Sequence, residues 1–203
     1  PGDRVVALAN HALGAHATVV TCSQDQVFAC PSGLSFEAAC AMPSAALTVI
    51  ECFTRAQLKA GERILIQTAT GGVGLMAVQL AQHIGAEVYA TAGSRNKLDY
   101  LATLGVRHLI NYPQEDFANA IHQMTQGQGV DVVLNTLDGD ALQKGLSCLS
   151  AGGRYIEIAM TALKSARAID LSLLDNNQSV HCVDMRKWGL ERPELVGKNF
   201  QTM

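Results

Sequence analysis

The glycine-rich segment at 69–74 (Ala-Thr-Gly-Gly-Val-Gly) is the part of the sequence whose residue types and spacing most directly indicate chemistry. It follows an apolar run at 63–68 and precedes an amphipathic stretch that ends at Gly85. In such a strand–turn–helix unit, Gly71 would let the backbone approach a pyrophosphate and Gly74 would let the helix lie close to the strand, while the helix N-terminus offers unpaired N–H groups. The segment predicts a dinucleotide site. The alternative is that these glycines serve only strand–helix packing.

The end of the second predicted strand indicates which dinucleotide would bind. Folds that prefer NAD place an acidic residue there, where it accepts hydrogen bonds from the ribose 2′-OH. This chain has Ala92 instead, followed by Gly93, Ser94, Arg95 and Lys97. A hydroxyl and two cations where a 2′-phosphate would lie favour NADPH, and the alternative is that the cations are solvated charges at a helix start.

Polar and small residues also follow the later predicted strands. Asn135 and Leu137 end the fourth strand, and Ala159 ends the fifth. Ligands of open α/β sheets bind at this carboxyl edge, so we expect these residues at the site. Thr48, in the segment that enters the nucleotide-binding part, is a further candidate, although a helical threonine can also bond back to its own turn.

Alternating strand and helix patterns position these residues. Apolar, β-branched runs predict six strands, at 63–69, 87–92, 108–112, 130–137, 154–159 and 179–184. Helical patterns fall between them, at 73–84, 97–104, 115–125 and 141–149. This alternation predicts an α/β fold with a doubly wound, Rossmann-type parallel sheet of six strands.

The first sixty residues have a different pattern. Short strands are predicted at 3–8 and 17–20, and a further apolar run lies at 26–31. Ser35 is expected to cap a helix at 36–40 that Pro43 breaks, before a second helix at 45–55. These patterns predict a chain that opens within a β-rich unit and closes within a helix, as expected of a fragment.

Composition excludes several classes of function. The 203 residues are 48% apolar and 16% charged, with a net charge of −3 and no basic block, so nucleic acid is not an expected partner. No apolar run is long enough for a membrane span and no targeting signal is evident, which favours a cytoplasmic protein. The six cysteines are widely spaced and predict ordinary thiols, with no metal site.

Several short motifs together resemble the medium-chain dehydrogenase/reductase superfamily, closest to its zinc-independent quinone-reductase and enoylreductase branch. They are Leu-Thr-Val at 47–49, Lys-Ala-Gly-Glu-Arg-Ile-Leu-Ile at 59–66, Gly-Gly-Val-Gly at 71–74, Val-Gln-Leu-Ala at 78–81, His-Leu-Ile-Asn-Tyr at 108–112 and Leu-Ser-Ala-Gly-Gly-Arg at 149–154. The tail, with Asn-Gln-Ser-Val at 177–180, Val-Asp at 183–184 and Glu-Arg-Pro-Glu-Leu at 191–195, looks like the enoylreductase domain of modular polyketide synthases.

The resemblance implies a domain arrangement and a set of site residues. Residues 1–34 would be the remnant of a GroES-like β substrate domain, 35–185 the NADPH-binding domain, and 186–203 a segment that returns toward the substrate domain. The cofactor residues that follow from the residue patterns and the resemblance together are Thr48, Ala69, Gly71, Gly72, Val73, Gly74, Gly93, Ser94, Lys97, Tyr112, Asn135, Leu137 and Ala159.

The sequence departs from the family at the positions that handle protons. Polyketide enoylreductases usually have Gly-Lys-x-Asp after the fifth strand, whereas this chain has Ala-Met-Thr-Ala at 159–162. Lys164 is the nearest replacement, and His16 stands where many members have a proton-donating tyrosine. The zinc-dependent relatives carry a cysteine near the position of Pro43, and Cys40 is out of register with it, so zinc is not expected.

The expected function is therefore NADPH-dependent reduction of an α,β-unsaturated acyl thioester on an acyl carrier protein. Expected partners are that carrier protein and neighbouring synthase domains, and a homodimer is left open. Two alternatives remain: a free-standing quinone or enone reductase, and a catalytically degenerate domain that binds nucleotide and organises its neighbours.

Overall fold

The computed structural model of the protein describes residues 2–9, 14–159 and 169–192. The chain divides into two compact units. The first comprises Pro1–Glu51 with Asp184–Met203, and the second is Cys52–Val183. The predicted domain limits at 34 and 185 remain predictions. Within the described ranges, no helix has both the length and the apolar character that a bilayer crossing requires.

The second unit is built on a parallel sheet of six strands, as predicted. Its strands are β3 (Arg63–Ile66), β4 (Glu87–Ala92), β5 (His108–Asn111), β6 (Val130–Asn135), β7 (Leu149–Glu157) and β8 (Ser179–Cys182). Their spatial order is β5-β4-β3-β6-β7-β8. The chain therefore moves outward from β3 to β5 and then crosses back to β6, so the switch point where such sheets bind ligands lies between β3 and β6.

The predicted strand limits are wrong at the ends of four strands and at the start of one. Four strands end two or three residues earlier than the sequence suggested, because the chain leaves the hydrogen-bonded ladder to form turns; Thr68, for example, already has a φ of +46°. β7 begins earlier than predicted, since Leu149 pairs with Val130. The helix predicted at 141–149 consequently ends at Ser147.

Helices connect the strands of this unit. They are α3 (Gly72–Ile84), α4 (Arg95–Thr103), α5 (Phe117–Met124) and α6 (Ala141–Ser147). Gly85 ends α3 in the left-handed region, with a φ of +89° that glycine adopts without steric cost. Asp116 begins α5, because its carboxylate accepts hydrogen bonds from the N–H groups of Ala118 and Asn119.

One face of the sheet packs against α5 and α6 through a buried apolar cluster. The strands contribute Leu65, Tyr89, Val133 and Tyr155, while α5 and α6 contribute Phe117, Ile121, Leu142 and Leu146. A Cβ atom at Gly145 would lie 2.6 Å from the Tyr155 ring, which shows how closely α6 approaches β7. The central strands β3 and β6 are buried along almost their whole length, which accounts for their largely apolar sequences.

The first unit contains an antiparallel pair, β1 (Val5–Ala7) and β2 (Val27–Ala29), and the helices α1 (Phe36–Ala41) and α7 (Met185–Glu191). The helix α2 (Pro43–Ala56) begins in this unit and ends in the second. Ser35 caps α1 as predicted, since its hydroxyl accepts a hydrogen bond from the Ala38 N–H. The strand predicted at 17–20 is wrong. These residues form bends, and Val19 is 83% exposed, so its β-branched side chain buries no surface that would favour a strand.

Candidate cofactor site

The glycine-rich turn joins β3 to the N-terminus of α3. Gly71 is the N-cap residue of α3, and its N–H donates to the Thr68 carbonyl oxygen at 2.9 Å. A Cβ atom at Gly74 would lie 2.6 Å from both the Ala69 Cα and the Thr68 carbonyl oxygen, so only glycine lets the helix approach this closely. Gly72 has open space where a side chain would be. The exposed start of α3 can therefore present its N–H groups to an anion.

Three threonine hydroxyl groups hold this turn to the neighbouring strands. The Thr68 N–H donates to the Thr91 hydroxyl oxygen at 3.1 Å, and the Thr68 and Thr136 hydroxyl groups are hydrogen bonded to each other. Thr136 also donates to the Gln67 carbonyl oxygen at 3.2 Å. These contacts tie the ends of β3, β4 and β6 together around Thr68, whose left-handed backbone is unfavourable for a β-branched residue.

The residues predicted to recognise a 2′-phosphate follow β4. Ser94 is the N-cap residue of α4 but makes no capping hydrogen bond with its side chain. Arg95 pairs with Asp99 at 2.9 Å on the exposed surface, whereas Lys97 lies on the exposed part of α4. A Cβ atom at Gly93 would lie 3.2 Å from the Tyr112 hydroxyl oxygen, so these two predicted residues are neighbours.

Glu157, which the sequence analysis did not identify, links three predicted residues at the ends of β6 and β7. These residues are Asn135, Leu137 and Ala159. Asn135 Nδ2 donates to the Leu137 carbonyl oxygen at 2.7 Å and to Glu157 Oε2 at 2.8 Å. Glu157 Oε1 accepts a hydrogen bond from the Ala159 N–H at 2.6 Å. The Asn135 side chain is thus engaged within the protein, and its predicted role in cofactor binding remains a prediction.

Glu157 belongs to a row of buried polar residues across the sheet. The strand register places the members of the row side by side at the carboxyl ends of the strands, and each is 0% exposed. Each also lies two residues beyond an apolar residue that packs against α5 and α6. The members are Gln67, Thr91, Asn135 and Glu157. Burial raises the pKa of Glu157, and hydrogen bonds from Asn135 and the Ala159 N–H partly oppose the rise. The sequence did carry a signal, because a carboxylate at the buried end of a strand needs a partner.

The turn and this row fit a dinucleotide. The glycine positions form a cradle that a Cβ atom would fill at Gly74, and the exposed glycines before it leave the backbone accessible. Gln67, beside them, has both side-chain polar atoms buried without a hydrogen-bond partner in the described part of the chain. A buried amide without partners is costly, so such a group in a folded protein calls for an explanation, and a bound ligand is one.

Two other predicted residues belong to the first unit, and a third lies outside the described residues. Thr48 is in the first unit, where its hydroxyl donates to the Ser44 carbonyl oxygen at 2.7 Å, the arrangement of a helical threonine bonded to its own turn. His16, also in the first unit, is exposed and lines a cavity of about 500 Å³ together with Val5 and Phe36. Lys164 lies outside the described residues.

Comparison with known proteins places the chain in a family. Residues 72–193 match the family model of zinc-binding dehydrogenases. Over 206 aligned residues the chain is 40% identical to the lovastatin diketide synthase of Aspergillus terreus, an alignment that covers all of the chain and 8% of that synthase.

Two solved structures resemble the chain closely. The nucleotide-binding subdomain of the enoylreductase domain of PpsC from Mycobacterium tuberculosis is 39% identical with a TM-score of 0.75, and the match covers 79% of this chain and 90% of that one. A quinone oxidoreductase from Thermus thermophilus, solved alone and with NADPH, is 30% identical with a TM-score of 0.72, covering 88% of this chain and 56% of that one.

The chain therefore belongs to the zinc-binding dehydrogenase family, the medium-chain dehydrogenases and reductases that the sequence motifs indicated. Within this family it belongs with the enoylreductase domains of polyketide synthases. These domains are oxidoreductases, and their nucleotide-binding fold takes a nicotinamide cofactor. Across the described ranges, no three or more His, Cys, Asp or Glu side chains are grouped so that they could hold a metal ion.

Proposed function

We propose that the chain binds NADPH and takes part in reducing an α,β-unsaturated acyl thioester on an acyl carrier protein during polyketide chain extension. The observation that carries this proposal is the close packing of Gly74 on Ala69, which sets an exposed helix N-terminus at the switch point of the sheet. A pyrophosphate is the anion whose shape and charge suit that position.

The preference for NADPH rests on the end of β4. A 2′-phosphate would meet the Ser94 hydroxyl, which caps no helix N–H, and the exposed Lys97 ammonium. Arg95 is engaged by Asp99, so Lys97 is the cation that we assign to the phosphate. The Thermus thermophilus quinone oxidoreductase, which was solved with NADPH, supports this assignment by similarity.

When bound, the cofactor supplies hydride to Cβ of the unsaturated thioester. The protein's residues orient the cofactor, exclude water and stabilise the negative charge that develops on the thioester oxygen. We assign the glycine turn and the loops after β6 and β7 to orientation. Ala159, whose N–H is already bonded to Glu157, would contribute contact surface rather than a hydrogen bond.

A proton must also reach Cα, and two residues are candidates for its donor. His16 lines a largely apolar cavity that also includes Phe36, and an imidazole is a common general acid in enzymes. Lys164 is the second candidate, from its position after β7 in the sequence. The two are told apart by which substitution, His16→Asn or Lys164→Met, lowers turnover.

The partners and location belong to the same proposal. The relatives are long synthases, and this chain spans 7–10% of their length, so we propose that neighbouring synthase domains and an acyl carrier protein are its partners. We propose a cytoplasmic location, supported by the six cysteines, none of which takes part in a disulfide. A free-standing quinone reductase is the alternative that the Thermus thermophilus structure supports.

The proposal is tested by stopped-flow measurement of NADPH absorbance with a crotonyl thioester of acyl carrier protein. The chain is expressed together with the sequence that flanks it in its gene, and a simple quinone is the competing substrate. Oxidation of NADPH by the thioester supports the proposal. Turnover of the quinone alone supports the alternative, and binding of NADPH without turnover of either substrate indicates the degenerate nucleotide-binding domain.

A further inference from the structure

Two loops at the carboxyl edge of the sheet are joined by one buried pair of side chains. Asn135, the last residue of β6, bonds through both ends of its amide to Leu137: Nδ2 donates to the Leu137 carbonyl at 2.7 Å, and Oδ1 accepts from the Leu137 N–H at 3.2 Å. Glu157, the last residue of β7, accepts from the Ala159 N–H at 2.6 Å. Asn135 Nδ2 then links the two side chains by donating to Glu157 Oε2 at 2.8 Å.

We infer that Glu157 is a positioning residue, which acts through Asn135 and the Ala159 N–H to fix the backbone at Leu137 and Ala159 against the cofactor. This inference rests on the proposed function, because those loops matter for binding only if NADPH lies at this edge. Neither Glu157 nor Asn135 is exposed to solvent, so neither side chain can contact a cofactor without a rearrangement. Their effect on binding must pass through the backbone that they hold.

The chemistry of this pair requires a carboxylate at 157. Both of its oxygens accept hydrogen bonds, one from the Ala159 N–H and the other from Asn135 Nδ2. An amide of the same shape has a single oxygen acceptor, so in either orientation its NH₂ group would face a donor. The substitution Glu157→Gln therefore breaks one link of the pair while it preserves the volume of the core.

At pH values above the raised pKa of Glu157, the charge of the carboxylate adds to the strength of these bonds. Hydrogen bonds to an ionised group are shorter and stronger than neutral ones, and in a buried site water cannot replace them. The Tyr155 hydroxyl also donates to Glu157 Oε2, at the longer distance of 3.3 Å, and it makes no hydrogen bond to Leu137 or Ala159. Tyr155→Phe is consequently a matched control, because it removes a hydrogen bond to the same carboxylate but none of those that hold Leu137 and Ala159.

The experiment measures NADPH affinity by nicotinamide fluorescence, at a temperature at which every variant is folded. We expect Glu157→Gln to weaken binding by about tenfold, the effect of one lost charge-assisted hydrogen bond, and Tyr155→Phe to stay within about twofold of the parent chain.

A second measurement separates this inference from the proposed function. Amide hydrogen exchange of Leu137 and Ala159, followed without cofactor, should become about tenfold faster for at least one of them in Glu157→Gln. If the parent chain does not bind NADPH, the proposed function fails, and exchange alone decides whether the pair holds the loops. The inference is overturned if neither amide changes, or if exchange changes while NADPH affinity does not.

Discussion

Gly74 packs on Ala69 so closely that a Cβ atom at position 74 would lie 2.6 Å from the Ala69 Cα. Non-bonded carbon atoms do not approach to this distance, and the backbone of a buried turn cannot move aside without disturbing β3. The contact therefore fixes the N-terminus of α3 relative to the strand. It is the relationship that makes the turn usable as an anion site.

The first prediction concerns this contact. Gly74→Ala should lower the free energy of unfolding by about 1–3 kcal/mol through overpacking and should abolish measurable NADPH binding, because the start of α3 is displaced. Urea unfolding and fluorescence titration check the two effects. Gly72→Ala is the control, since a side chain there meets nothing within 4 Å and stability should stay within about 1 kcal/mol of the parent chain. Equal destabilisation by both substitutions would contradict the packing account.

The second prediction concerns the choice of cofactor. Lys97→Ala should weaken NADPH binding by roughly fivefold to tenfold and leave NADH binding unchanged, because only NADPH carries the 2′-phosphate. Ser94→Ala should act in the same direction with a smaller effect. Arg95→Ala is the matched control, since Arg95 is held by Asp99. Fluorescence titrations at low and high salt check this prediction, and an equal loss of NADH affinity would refute it.

The third prediction concerns the hydroxyl groups beneath the turn. Thr136→Val keeps the shape of the side chain but removes the hydroxyl that contacts Thr68 and the Gln67 carbonyl. It should cost about 1–3 kcal/mol of unfolding free energy, because buried polar groups lose their partner. Thr136→Ser retains the hydroxyl and should cost less. Calorimetric or urea unfolding of the two variants checks this prediction. A larger loss of unfolding free energy in Thr136→Ser than in Thr136→Val would show that the methyl group, not the hydroxyl, stabilises the turn.

The fourth prediction is a pH dependence of stability. Because burial raises the pKa of Glu157, the folded chain holds a proton at pH values where the unfolded chain has released it. This contribution to stability is fully present below the ordinary pKa of 4.5 and is lost as the pH rises through the raised value. The loss amounts to roughly 1.4 kcal/mol for each unit of the rise.

Urea unfolding from about pH 4 to about pH 8 checks this dependence when the parent chain is compared with Glu157→Gln, whose amide does not titrate. As the pH rises, the unfolding free energy of the parent chain should fall relative to that of the Glu157→Gln variant. Parallel curves across the range would mean that Glu157 has an ordinary pKa in the folded state.

The sequence predicted much of the fold because the strands are short, apolar and buried on both faces. The start of all but one of the six strands in the sheet was placed correctly, and β7 was the exception, since its first residues Leu149–Ser150 continue a helical pattern and only pairing with β6 makes them a strand. The strand predicted at 17–20 is wrong because its strand propensity is not supported by burial. Its β-branched residues have strand propensity, but Val19 is exposed and gains nothing from it.

The site was harder to predict, because side-chain pairing depends on register. Asn135 was identified from its place at the end of β6, yet its partner Glu157 was not, although the two are level in the sheet. Gln67 and Thr91 belong to the same row, and no local pattern connects residues so far apart in the chain. Only the order β4-β3-β6-β7 brings them together.

The most direct test of the proposed reaction follows a deuterium label from NADPH. NADPH carrying deuterium at C4 is incubated with a crotonyl thioester of acyl carrier protein and the chain, expressed with the sequence that flanks it in its gene. The released acyl group is examined by NMR. We predict a saturated product with one deuterium at Cβ and a solvent-derived proton at Cα. Binding of NADPH without saturation of the thioester, or a product that carries the label at Cα, would contradict the proposal.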